Sequence, residues 1–82
     1  MEVYLTRHAR NRMRLYEVAE GDVRGALEHP ERITPASFQA VHAWKRTATG
    51  AWLRVTYTDE GARRVVITVT PRSHPPGGTD AH

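Results

Sequence analysis

Cysteine is absent from the sequence, which excludes disulfides, thiolate zinc sites and cysteine nucleophiles. A secreted domain of 82 residues would usually need disulfides to stabilise its fold. Long apolar runs are absent too: no segment approaches the roughly 20 apolar residues that cross a bilayer, and the first residues lack the pattern of a signal peptide. These absences predict a cytoplasmic protein that neither spans nor binds a membrane.

Serine and lysine are scarce, and the histidines are scattered. The two serines, Ser37 and Ser73, argue against a serine triad, and the five histidines lack metal-ligand spacing. We therefore expect no metal site and no cofactor. Lysine occurs once, at Lys45, against eleven arginines. Because a guanidinium binds phosphate bidentately and stacks on bases, this bias favours phosphate or carboxylate recognition; a genome rich in GC codons would produce the same bias.

Two helices are predicted in the first third of the chain. Thr6 offers an N-cap hydroxyl before Arg7 to Tyr16, a stretch without glycine or proline that has apolar residues on one stripe and arginines opposite. A second helix is predicted from Glu20 to Glu28, with acidic residues in its first turn and Pro30 after its end. The apolar run Val3 to Leu5 before them is long enough for one short strand.

From Ile33 onward the apolar residues alternate with a period of two, which predicts strands. The three clearest alternations cover residues 38–45, 52–57 and 64–70. Segments 47–50 and 59–61 are of hairpin length, so consecutive strands should pair antiparallel. The sequence predicts an α+β fold in which two N-terminal helices, with or without a preceding short strand, pack on an antiparallel meander of three or four strands.

The end of the chain has a different composition from the rest. Residues 73–82 contain no large apolar side chain and are rich in proline and glycine, which is typical of a solvated tail. We therefore expect a single domain over residues 1–72 and a flexible tail over 73–82.

Several short motifs in this order resemble those of a known family. They are His-Ala-Arg-Asn-Arg-Met at 8–13, Asp-Val at 22–23, Ala-Leu at 26–27 and His-Pro-Glu-Arg-Ile at 29–33. The likeness, which covers about Thr6 to Pro71, is to a small prokaryotic family of uncharacterised domains related to the BrnT and RelE type of toxin. The chain departs from the family pattern at Tyr16 and Glu17, where Arg-Gly usually closes the first helix, and at Ala19, where a serine or threonine cap is usual.

This resemblance implies a function as well as a fold. In RelE and BrnT toxins one face of the sheet engages RNA and cleaves it without a metal ion, in some cases only on the ribosome. The partners implied for this chain are RNA or the ribosome and a small antitoxin encoded alongside.

Metal-free RNA cleavage needs a base for the 2′-hydroxyl proton, cations for the phosphate and an acid for the leaving oxygen. Under the toxin-like interpretation, Arg54 and Arg72 hold phosphate while His42 or Tyr57 transfers protons. Neighbouring antiparallel strands can bring such side chains together. The candidates for binding nucleic acid or a partner are Arg7, Arg10, Arg14, Lys45, Trp52 and Arg64, with Trp44 as a second stacking surface.

Each candidate also has a purely structural interpretation. His42, Trp44 and Tyr57 lie on apolar alternations, where core residues are common, and an arginine on a strand or helix is most often solvated. Three functions therefore remain: a toxin-type ribonuclease, a noncatalytic module that binds nucleic acid or an acidic protein, and an interaction domain that pairs with a second copy. Salt dependence separates the second from the third, because counterion release weakens nucleic-acid binding as salt rises.

Overall fold

The structure, a computed structural model, describes residues 2–76 and confirms the α+β class. Both helices have the predicted bounds. The elements in chain order are β1 (Glu2–Leu5), α1 (Arg7–Tyr16), α2 (Glu20–Glu28), β2 (Arg32–Pro35), β3 (Val41–Arg46), β4 (Trp52–Glu60) and β5 (Arg63–Arg72). Of the predicted tail, residues 73–75 are exposed, Pro76 is buried, and 77–82 lie outside the described residues.

The sheet has five strands in the order β1-β5-β4-β3-β2. Strands β2 to β5 form the predicted antiparallel meander. The short first strand, to which the sequence assigned no partner, pairs with β5 in parallel at one edge of the sheet. A parallel pair needs a long crossover, and here the chain between the two strands includes both helices and the rest of the sheet. The described part of the chain therefore folds around a mixed sheet.

Local capping explains where the helices begin and end. The Thr6 hydroxyl accepts a hydrogen bond from the Ala9 backbone N–H at 3.1 Å, as an N-cap residue does. Helix α1 ends in a Schellman motif, in which Val18 N–H donates to the Met13 carbonyl at 2.8 Å and Glu17 takes the left-handed conformation with φ 57°. The N-cap residue of α2 is Ala19, whose side chain makes no capping hydrogen bond. Neither helix of the described chain has the length and apolarity to cross a membrane.

Both helices pack on the same face of the sheet, α1 on β5 and α2 on β3 and β4. The core between them consists of Ala9, Val23, Ala26, Leu27, Ala43, Leu53, Val55, Tyr57, Val66 and Val69. Because successive strand residues point to opposite faces, the residues between these core positions point away from the helices. We call that side of β2 to β5 the distal face; it carries Arg32, Thr34, His42, Trp44, Arg46, Trp52, Arg54, Thr56, Thr68, Thr70 and Arg72.

Candidate nucleic-acid interface

Cationic and aromatic side chains lie side by side on the distal face. The register across β3, β4 and β5 arranges them in three rows: His42–Thr56–Thr68, Trp44–Arg54–Thr70 and Arg46–Trp52–Arg72. Adjacent strands are about 4.8 Å apart, so side chains in neighbouring rows and columns are within reach of one another. Arg54 is the diagonal neighbour of both His42 and Arg72, so the three form a diagonal cluster in which His42 and Arg72 are two strands apart.

Trp44 forms the floor of this cluster. Its side chain is 5% exposed, and its indole N–H donates to Thr34 Oγ1 at 2.8 Å, which fixes the ring. The guanidinium carbon of Arg54 lies 5.8 Å from the centroid of that ring, within cation–π distance. Arg54 Nε is buried and makes no hydrogen bond within the described residues. Burial, and after it the charge of Arg72, lowers the pKa of Arg54, although an arginine stays protonated at neutral pH.

His42 lies one strand from Arg54 and two strands from Arg72. Its Nδ1 lies 2.8 Å from Thr56 Oγ1, and its ring meets Trp44 edge-on with the centroids 6.3 Å apart. Burial lowers the pKa of His42 below its ordinary value, and the charges of Arg54 and Arg72 lower it further. The imidazole is therefore neutral near pH 7, and when Nδ1 carries the proton, Nε2 is a free acceptor.

The outer row adds a second aromatic platform. The Arg46 guanidinium carbon lies 4.8 Å from the Trp52 ring centroid, and Trp52 is only half-buried. The Arg46 backbone N–H donates to Glu31 Oε2 at 2.8 Å, so that carboxylate is engaged at the sheet edge. An exposed guanidinium beside a half-buried indole supplies a cation for phosphate and an aromatic ring for stacking with a base that displaces the guanidinium.

The arginines of the distal face form no salt bridge within residues 2–76, and the Glu31 carboxylate bonds to the backbone of Arg46. Among residues 2–76 the salt bridges are Arg24–Glu20 and Arg64–Asp59, neither of which lies on this face. The cluster of Arg46, Arg54 and Arg72 therefore has the charge and hydrogen-bond donors that an anion requires. Within the same residues, no group of three histidine, aspartate or glutamate side chains is placed to hold a metal ion.

The structure does not bring Tyr57 to this cluster. Tyr57 is 5% exposed and belongs to the core on the helix side, where the guanidinium carbon of Arg64 lies 4.9 Å from its ring centroid. Tyr57 alternates in phase with Val55, so it must share the face of that core residue. The sheet separates it from His42, so the prediction that Tyr57 transfers protons in this cluster is corrected.

Two predicted binding cations, Lys45 and Arg64, also lie on the helix side. Lys45 Nζ donates to the His29 carbonyl at 3.1 Å, and Arg64 Nη1 donates to the Leu27 carbonyl at 2.9 Å. Both carbonyls are at the C-terminal end of α2, where positive charge interacts favourably with the helix dipole. These two residues brace the helix on the sheet. Arg7, Arg10 and Arg14 lie on the exposed side of α1, away from the distal face.

Some residues of the cluster were missed in the sequence. Arg46 continues the alternation of His42 and Trp44 by one step, and following the strand past Lys45 would have found it. Thr34 and Thr56 carry no signal of their own, since their importance arises from the register that sets them against Trp44 and His42.

Comparison of the chain with protein-family models, with curated proteins and with solved structures finds no match. The resemblance to RelE and BrnT toxins therefore stays a prediction that depends on the motifs of this sequence.

Proposed function

We propose that the distal face binds single-stranded RNA and cleaves its backbone, in the manner that the resemblance to RelE-type toxins implies. The observation that supports this most is the grouping of a half-buried histidine, two arginines and two tryptophans on one face of the sheet. RNA cleavage needs these types of side chain on one surface.

The two arginines have complementary parts in holding a phosphate. Arg54 is positioned by Trp44 and is half-buried, so little side-chain entropy is lost when it binds an anion. Arg72 is exposed and stands diagonally across from it, one strand away and two positions along. A phosphate between them would receive charge-assisted hydrogen bonds from both sides. That environment also stabilises the additional negative charge that develops during cleavage.

His42 is the proposed general base. With Nδ1–H donating to Thr56, Nε2 accepts the proton of the 2′-hydroxyl, and O2′ then attacks the adjacent phosphorus. The bond from phosphorus to O5′ breaks, which leaves a 2′,3′-cyclic phosphate and a 5′ oxygen that takes its proton from water. The lowered pKa of His42 suits this role, because the base must be neutral before the reaction.

Trp52 favours a single strand over a duplex, whereas Trp44 is buried and offers no face for stacking. Stacking on Trp52 requires a base whose ring face is exposed, and the bases of a double helix already stack on each other. Such stacking contributes about 1–3 kcal/mol per base and tolerates any sequence. We therefore expect little base specificity at this position.

One observation favours a second function, noncatalytic RNA binding. With Tyr57 on the helix side, the cluster contains no side chain placed to protonate the leaving oxygen. A face that binds phosphate and stacks bases without accelerating cleavage would use the same residues except His42.

The test compares wild-type protein with Arg72→Ala, His42→Gln and the control Arg24→Ala, which removes one charge from α2. Binding is measured by fluorescence anisotropy with a labelled 12-nucleotide oligouridine. Cleavage is followed by primer extension of messenger RNA in a cell-free translation reaction, which supplies ribosomes. Arg72→Ala should raise the Kd about tenfold, and His42→Gln should lower the cleavage rate by at least about 100-fold with the Kd unchanged.

The outcomes separate the functions. New RNA ends that disappear in His42→Gln support the ribonuclease. Binding that depends on Arg72 with intact messenger RNA supports the noncatalytic module. Absence of binding, or equal loss in Arg72→Ala and Arg24→Ala, overturns the RNA-binding proposal.

A further inference from the structure

A stripe of arginines runs along the exposed side of α1, away from the distal face. Arg7, Arg10 and Arg14 are spaced by three and four residues, so they lie on one side of the helix over about 10 Å. Like charges at these spacings repel each other and destabilise a helix. Within residues 2–76, none of the three forms a salt bridge. The helix therefore presents concentrated positive charge to solvent.

Beside this stripe lie two adjoining hollows, of about 320 Å³ and about 410 Å³, which we call together the β1 groove. Tyr4, Leu5 and Arg10 line both hollows. Val3, Met13 and Glu20 complete one, and Arg7, Asn11 and Arg14 complete the other. The groove thus has an apolar end, a strongly cationic end and one carboxylate in its lining.

The backbone of β1 forms one side of the groove. β1 is the outermost strand and pairs with β5 alone. The Thr6 N–H donates to Val66 of β5 at 3.2 Å, so by alternation the N–H and C=O groups of Val3 and Leu5 point away from β5. Arg10 Nε donates to the outward carbonyl of Leu5 at 3.3 Å. The edge keeps further backbone groups directed outward, as an edge that accepts another strand does.

We propose that the β1 groove binds an acidic, extended polypeptide segment, which joins the sheet beside β1 and places its carboxylates against the arginine stripe. Backbone groups of an edge strand complement a peptide backbone, and carboxylates match guanidinium donors. A nucleic acid fits less well, because it has no strand-like backbone to pair with the outward N–H and C=O groups of β1. This site is independent of the distal face.

The test uses a fluorescein-labelled peptide, Glu-Thr-Glu-Val-Glu-Thr-Glu, titrated with the full chain at low salt. One control peptide has glutamine at every glutamate, and another has proline in place of the central valine, which prevents strand pairing. The variant Arg7→Gln/Arg14→Gln is compared with Arg12→Gln/Arg32→Gln, which removes the same charge outside the groove. Circular dichroism checks that both fold.

We expect the stripe variant to raise the peptide Kd about tenfold and the matched control to leave it nearly unchanged. Both control peptides should bind much more weakly than the acidic one. Equal affinity of the two double variants, or full affinity of the proline peptide, would overturn the proposal. The proposal would also be overturned if no protein bound the peptide and the stripe variant lost oligouridine binding. That result would assign the arginine stripe to RNA. Because oligouridine affinity is measured separately, a negative result with the acidic peptide does not affect the proposal that the distal face binds RNA.

Discussion

At the scale of single residues, the environment of His42 makes folding stability depend on pH. The pKa of His42 is lowered in the folded state by burial and then by Arg54 and Arg72. As pH falls below about 6.5, His42 becomes protonated in the unfolded chain while it is still neutral in the folded protein. Stability should therefore fall from about pH 6.5 downward, until the folded histidine is protonated as well, and His42 contributes no pH dependence above that window.

This pH dependence is measured by urea unfolding between pH 7.5 and 5, for wild type beside His42→Gln. The difference in unfolding free energy between the two proteins isolates His42 from the carboxylates, which titrate in both. We expect wild type to lose stability relative to the variant as pH falls. A constant difference would show that the folded pKa is unshifted.

Glu17 is held in a conformation that suits glycine. It closes α1 with φ 57°, in the left-handed region, where a Cβ costs about 1–2 kcal/mol. Glu17→Gly should therefore raise the free energy of unfolding by about 1 kcal/mol. Its carboxylate also opposes the helix dipole, so Glu17→Ala serves as the control that removes the charge and keeps the Cβ. Equal gains in both variants would attribute the effect to charge rather than to backbone strain.

Ala19 leaves the first turn of α2 without a side-chain cap. Its φ of −79° and ψ of 153° are those of an N-cap residue, and the residue is exposed. Ala19→Ser supplies a hydroxyl that can accept from a free N–H of the first turn, so unfolding should cost about 1 kcal/mol more. Ala19→Val offers no oxygen, and thermal melting should place it at or below wild type. No gain with serine would mean that this turn is capped in another way.

At the scale of the elements, Arg64 joins α2 to the sheet. It donates to Leu27 at the end of the helix, forms a 3.0 Å salt bridge with Asp59, and lies over the Tyr57 ring. Arg64→Ala should lower the free energy of unfolding by about 1–2 kcal/mol. The neighbouring Arg63→Ala removes the same charge from an exposed side chain, and urea unfolding should show a clearly smaller loss. If the two losses were equal, Arg64 would not brace the helix.

The helices and the four-stranded meander could be predicted because their signals are local. A threonine cap, a proline after α2 and short turns each act within a few residues. The parallel pairing of β1 could not be predicted, since a run of four residues contains nothing that selects a partner strand some sixty positions away. Tyr57 could have been assigned to the core from its alternation with Leu53 and Val55.

At the scale of the whole molecule, the candidate site depends on how strand faces combine. Alternation along each strand predicted from the sequence that His42 and Trp44 share one face and that Arg54 lies on the face opposite Leu53. Whether those two faces coincide is decided by the register between β3 and β4, which pairs Trp44 with Arg54. That register depends on the folded sheet and its turn, and it cannot be predicted from the sequence of a single strand.

The arrangement of charge, rather than its total, should govern RNA binding. The net charge is only +3, while Arg46, Arg54 and Arg72 are concentrated on one face. If these three contact phosphates of a single strand, the slope of log K against log salt should be about −2, since each contact contributes about −0.7. Arg72→Ala should reduce the slope by one such step, measured with oligouridine at several salt concentrations.

Arg24→Ala changes the net charge by the same amount but lies on α2, outside the distal face. A site with localised contacts predicts that this variant keeps the wild-type slope, because the counterions released are those displaced at the contacts. Diffuse attraction to a basic protein predicts the same reduction for both variants. A slope that differs between Arg72→Ala and Arg24→Ala therefore assigns the binding to the distal face, and a common slope removes the main reason for placing RNA there.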